Sequence, residues 1–238
     1  MAVRVEQAWN DYRGGRLGSV IASLPALLQT AQELEERAAR RGEDRSDCWA
    51  VSARTHHLAA TTLTKIGESD ISWLAAERAM CAADESDDPL VLASAARSGT
   101  HALLANGRYD DALELVNTAS AWPSYQVRYS NPAALSLLGM IHLRAAVAAA
   151  RHQDRPTAAS LLDRAEELAD DLSSDENHWQ TGFGPTYVLL HRLSVELDLD
   201  NMSYVVEHGR INVDHMPQER SVSHRVDFAR ALAQWSGR

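Results

Sequence analysis

The stretch Leu103-Leu104-Ala105-Asn106-Gly107-Arg108-Tyr109-Asp110-Asp111-Ala112-Leu113-Glu114-Leu115 sets the strongest limit on the fold. An apolar helical run ends at a glycine, which supplies the flexible backbone of a helix C-terminus. A small residue follows five positions later, where two helices of a hairpin approach closely. Related turns stand at Gly15 with Val20, at Gly67, at Gln153 with Ala158 and at Leu199, so successive turns lie 52, 40, 46 and 46 residues apart. A chain punctuated this way folds as a series of helix hairpins. No alternation of apolar and polar residues is long enough for a strand.

Apolar spacing and capping residues place helices at about 3–12, 17–40, 46–66, 71–83, 90–105, 109–121, 131–151, 155–172, 185–197, 201–213 and 217–235. Trp122-Pro123 is expected to close the sixth, and 173–184 is the longest irregular segment. One hairpin cannot bury its own apolar face, and stacked neighbours supply the burial. The expected fold is all-α, a right-handed superhelix of stacked antiparallel hairpins in one domain over residues 1–238. Its concave inner wall is built mainly by the first helix of each hairpin.

The formal charge of −10 and the single lysine, Lys65, argue against direct nucleic-acid binding, which draws on clustered cations at phosphates. Two cysteines, Cys48 and Cys81, are too few for a disulfide framework, and no secretory signal pattern opens the chain, so a cytoplasmic location is expected. The most apolar run, Ala145 to Ala150, is flanked by Arg144 and Arg151, and no membrane span is expected. Glycine-rich phosphate loops, nucleophile elbows and paired-cysteine or His-Glu-x-x-His metal motifs are absent, so neither a cofactor nor a metal is expected. Asp84-Glu85-x-Asp87-Asp88 reads as a hydrated cap for the helix starting at Pro89.

Aromatic, imidazole and turn-forming residues concentrate at 178–191. Trp179 and Phe183 fall on the loop before a helix that begins near Pro185, with Tyr187 and His191 on that helix. The four can wall an apolar pocket with polar handles, or the two loop aromatics can simply plug the end of the core. Further histidines, His57, His101 and His142, sit in long first helices but at different distances from their turns, so they do not share one register. Arg54, Arg97 and Arg144 lie in the same class of helix, and Arg128 in a loop with Tyr125 and Tyr129. Each arginine can pair with a neighbouring helix or hold a carboxylate or phosphate through two parallel hydrogen bonds. Arg144, between Leu143 and Ala145, has the most apolar surroundings and is the preferred ligand anchor. The ligand-binding candidates are therefore Trp179, Phe183, Tyr187, His191, Arg144, His142 and His101.

The chain also resembles the tetratricopeptide-like C-terminal region of XRE-type helix-turn-helix regulators of actinobacteria. The resemblance is carried by Trp9-x2-Tyr12-x2-Gly15-Arg16, Leu24-Pro25-x-Leu27-Leu28, Trp73-x-Ala75-Ala76-x-Arg78-Ala79, Asp87-Asp88-Pro89-Leu90, Gly107-Arg108-Tyr109-x2-Ala112 and Trp179-x3-Phe183-Gly184-Pro185-Thr186-x-Val188-x2-His191. The turn spacing exceeds the roughly 34 residues of a tetratricopeptide repeat, so the units are extended versions of it. Two departures stand out: the basic helix-turn-helix that precedes this region in the family is not in the sequence, and Tyr187 stands where the family has asparagine. The resemblance implies an effector-sensing domain that takes a small molecule or peptide in its concave groove and regulates a DNA-binding module in cis or in trans. The alternative is a free-standing biosynthetic-pathway protein that uses the groove as an active site. The final helix, with Val222, Val226, Phe228, Ala229, Leu232 and Trp235, is apolar enough to cap the array or to form a homodimer.

Overall fold

A computed structural model describes residues 1–40, 45–126, 131–172 and 174–210, with short helical pieces at 225–226, 228–229 and 232–233. Among the described residues the chain is all-helical, its only β pairing being an isolated bridge between Glu176 and Phe183. The helices are α1 (Ala2–Arg13), α2 (Leu17–Arg40), α3 (Arg45–Ile66), α4 (Ser69–Asp84), α5 (Pro89–Ala105), α6 (Tyr109–Gln126), α7 (Pro132–Arg151), α8 (Arg155–Asp170), α9 (Pro185–Asp198) and α10 (Met202–His208). Two compact units divide the chain, Met1–Ala134 and Leu135–Arg238.

Five turns close hairpins in the same way. Arg16, Glu68, Arg108, Asp154 and Asn201 each donate their backbone N–H to the carbonyl five residues back, at 2.8 to 3.0 Å. The residue before each donor is left-handed: Gly15, Gly67, Gly107, Gln153 and Asp200, with φ between 59° and 88°. This bond pattern satisfies carbonyls that a helix end otherwise leaves open. Five residues after each left-handed position stands a buried side chain, Val20, Ser72, Ala112, Ala158 or Val205, none more than 2% exposed. The fifth turn thus hinges on Asp200 rather than Leu199.

Capping explains most helix starts. The Asp88 carboxylate accepts from the N–H groups of Leu90 and Val91 ahead of α5, with Pro89 in the first turn, and Asp154 accepts from Thr157 at the start of α8. Two helix ends differ from expectation. Proline at 123 does not close α6, which runs on to Gln126, because a proline removes one backbone hydrogen bond without forbidding a further turn. Helix α10 stops at His208, since Gly209 follows and the Phe228 ring lies where a β-carbon at Gly209 would be.

In the first unit Val5, Ala8, Trp9 and Tyr12 of α1 bury against Val20, Leu24 and Leu27 of α2 and Leu58 and Ala59 of α3. Ala60, Ala76 and Ala102 bring α3, α4 and α5 close enough to exclude water, and Arg108 stacks over Trp73 at 5.0 Å. In the second unit Leu193, Leu197, Met202 and Val205 form a cluster that Phe228 covers. Helix α7 is long and apolar enough to cross a membrane, and 83% of its most apolar window is buried inside the protein. Most of the proposed last helix at 217–235, and the Tyr125, Arg128 and Tyr129 side chains, lie outside the described residues.

Candidate functional site

The loop ahead of α9 is built to fix that helix. Asp175 accepts from the Thr186 N–H at 3.0 Å, and Glu176 donates its N–H to the Phe183 carbonyl at 3.0 Å. The Thr181 hydroxyl donates to the His178 carbonyl at 2.6 Å and accepts from the Phe183 N–H at 3.3 Å. Trp179 and Gln180 are consecutive non-glycine residues at φ 51° and 59°, a strained pair that the surrounding bonds hold in place. Gly184 lies so near Asp175 that a β-carbon there would meet the Asp175 Cα at 2.4 Å.

What the loop positions is the face of α9 that begins with Tyr187. The rings of Tyr187 and His191, one turn apart, meet edge to face at 4.4 Å, and both residues are buried, at 7% and 8% exposure. His191 Nδ1 lies 3.2 Å from the Tyr187 carbonyl. A carbonyl only accepts, so this contact places a proton on Nδ1. Trp179 is half-buried, whereas Phe183 is wholly buried with its ring against Gly139 of α7. Of the two readings for Phe183, the structure gives it the packing one.

Helices α7 and α9 share a register. Arg151 donates to Asp198 at 3.2 Å, and the two stand at the same place in their hairpins, two residues before the left-handed Gln153 and Asp200. One heptad earlier on both helices, about 10 Å back along each axis, stand Arg144 and His191, each nine residues before the same turn. The step back replaces the carboxylate of Asp198 by an imidazole. Arg144 is half-buried, its Nε is sealed from solvent without a hydrogen-bond partner, and among the described residues it makes no ion pair. The contrast with its neighbours is sharp: Arg151, Arg155, Arg164 and Arg192 all pair with carboxylates.

His142 does not join this face. Two residues on a helix turn it about 200° from Arg144. Burial, and the positive charge of Arg164 on α8, hold its pKa down at about 4. His101 belongs to the first unit, on α5.

The first unit has its own buried polar cluster. Arg97 Nη2 lies 3.3 Å from His57 Nε2, and His57 Nδ1 lies 3.1 Å from Ser94 Oγ. Since arginine only donates, His57 is neutral with its proton on Nδ1, and burial with the nearby Arg97 charge keeps its pKa well below 6.5. Trp9 packs its ring edge to face on His57 at 5.0 Å. His57 and Arg97 also stand at matching positions, ten before Gly67 and ten before Gly107, which supports the register seen between α7 and α9.

A cleft of about 150 Å³ between α8, α9 and α10 is lined by Glu166, Asp170, Val188, Arg192 and Tyr204. Its arginine is already held by Asp163 and Glu166, each at 2.9 Å. Among the described residues no three His, Cys, Asp or Glu side chains gather as a metal site. The sequence signal for Arg144 was available: α7 carries no Asp or Glu, so its arginine has no carboxylate within its own helix. Comparisons with protein families, with curated proteins and with solved structures found no match to this chain.

Proposed function

We propose that the chain is a ligand-sensing or protein-interaction domain of a transcriptional regulator, with its hairpins continuing as a right-handed, tetratricopeptide-like superhelix. A small molecule or peptide docks on the inner wall formed by first helices and shifts the array between two curvatures, which alters a DNA-binding module in cis or in trans. The observation that carries this reading is Arg144, whose buried Nε has no hydrogen-bond partner and which makes no ion pair among the described residues, on a helix without Asp or Glu and one heptad back from Arg151, which does pair. Sealing the Nε of a half-buried guanidinium from water with no acceptor is costly, and a ligand that brings an acceptor and the missing charge relieves it. The strained Trp179-Gln180 pair supports it too, since strain of this kind concentrates at ligand clamps and switches.

The test is the affinity of the attached or partner DNA-binding module for its operator, followed by fluorescence anisotropy with and without bound ligand. The reading requires a shift that disappears in Arg144→Ala. Unchanged operator affinity at ligand saturation contradicts it.

A further inference from the structure

The geometry points to a carboxylate as the group that Arg144 binds, and to a small organic acid with an apolar or aromatic body as the ligand. The inference deepens the sensing reading at the same site and rests on it for the site's biological role.

The Arg151–Asp198 pair is the protein's own template. There a guanidinium on α7 meets a carboxylate on α9 at matching positions. Arg144 and His191 occupy the positions one heptad earlier on the same two helices, each nine residues before its left-handed turn residue, but without the acid. The guanidinium fork matches a carboxylate through two parallel hydrogen bonds.

Charge and surroundings narrow the class. Helix α7 brings no acidic residue, and around Arg144 it buries Met140, Ile141, Ala145, Val147 and Ala148. One cation in such a setting balances one negative charge. A phosphate, carrying about −1.5 to −2 at neutral pH, would leave charge uncompensated against apolar walls. On α9 the residues at this level, Tyr187 and His191, are buried and packed edge to face, so that helix brings no carboxylate there either.

The test uses the full chain with phenylacetate, acetate, neutral phenylacetamide and inorganic phosphate as probes, by titration calorimetry and by the side-chain Nε–H resonance of Arg144. The expected result is saturable binding of phenylacetate that moves the Arg144 resonance, with acetate weaker and phenylacetamide and phosphate inert. Arg144→Ala weakens phenylacetate about tenfold or more, as loss of hydrogen bonds to a charged group does, while Arg151→Ala leaves it within about twofold. His191→Asp supplies the acid from within the chain. It should block phenylacetate and raise the thermal midpoint, and the gain should vanish when Arg144→Ala is added. Phenylacetate binding no better than phenylacetamide, equal binding by Arg144→Ala, tighter binding of phosphate, or no coupling between His191→Asp and Arg144→Ala overturns the assignment. All these readouts concern the chain alone, so a DNA-binding partner that ignores ligand would sink the sensing role and leave the carboxylate site standing.

Discussion

Phe183 closes its ring onto the backbone of Gly139: a β-carbon built at Gly139 would lie 1.9 Å from the Phe183 Cζ. The contact joins the loop ahead of α9 to the middle of α7.

Gly139→Ala should therefore destabilise the protein by about 1–3 kcal/mol through overpacking, although alanine is the better helix former by about 1 kcal/mol. Phe183→Ala should cost about 3–5 kcal/mol by emptying the same space. Urea unfolding checks both, and the double variant should lose less than the sum, because alanine at 139 fills part of the void. Strict additivity would mean that the two do not share one space.

Asp200 holds a left-handed backbone at φ 59°, which costs a non-glycine residue about 1 kcal/mol. Asp200→Gly should stabilise the second unit by up to that amount. Gly67→Ala should do the reverse in the first unit, although no atom lies within 4 Å of the new methyl, because its φ of 88° is the obstacle. Thermal melts of the two variants should move in opposite directions.

Acid should weaken the fold through His142. Its pKa is about 4 when folded and returns to about 6.5 when unfolded. Above pH 6.5 both states are neutral and the contribution is complete. Between 6.5 and 4 the unfolded chain takes a proton that the folded chain refuses, so stability falls across that window, by roughly 2–3 kcal/mol in all. The buried His57, whose pKa is also held down, acts in the same direction. His142→Leu should flatten part of the slope of unfolding free energy from pH 6.5 to 4, and an unchanged slope would remove His142 as its source.

The exposed Arg151–Asp198 pair should matter little for stability. Asp198→Ala is expected to cost no more than about 1 kcal/mol, because both groups are solvated and screened by salt. Its value is geometric, and a larger loss measured at high salt would contradict that view.

The helices were legible in the sequence because their signals are local: apolar spacing along α2, Asp88-Pro89 at the start of α5, and glycine at residues 15, 67 and 107. The remaining turns were harder to place. Gln153 and Asp200 adopt left-handed backbone without being glycine, and bonds such as Asp154 to Ala149 and Asn201 to Glu196 are what hold them there. Counting from Leu199 instead of Asp200 put His191 one residue out of step and concealed that it stands level with Arg144. His142 and Arg144 were both candidates, and residues two apart on one helix point about 200° from each other. Phe183 was ambiguous because the void that receives it is made by a glycine 44 residues earlier, a long-range fit that no local pattern reveals.

A native mass spectrum of the chain after incubation with a cell metabolite extract, recorded for the wild type and for Arg144→Ala, reads occupancy of the Arg144 site directly. The expected result is a bound small acid, one per chain, that the wild type retains and Arg144→Ala loses. The same adduct on both proteins, or none on the wild type, would contradict it.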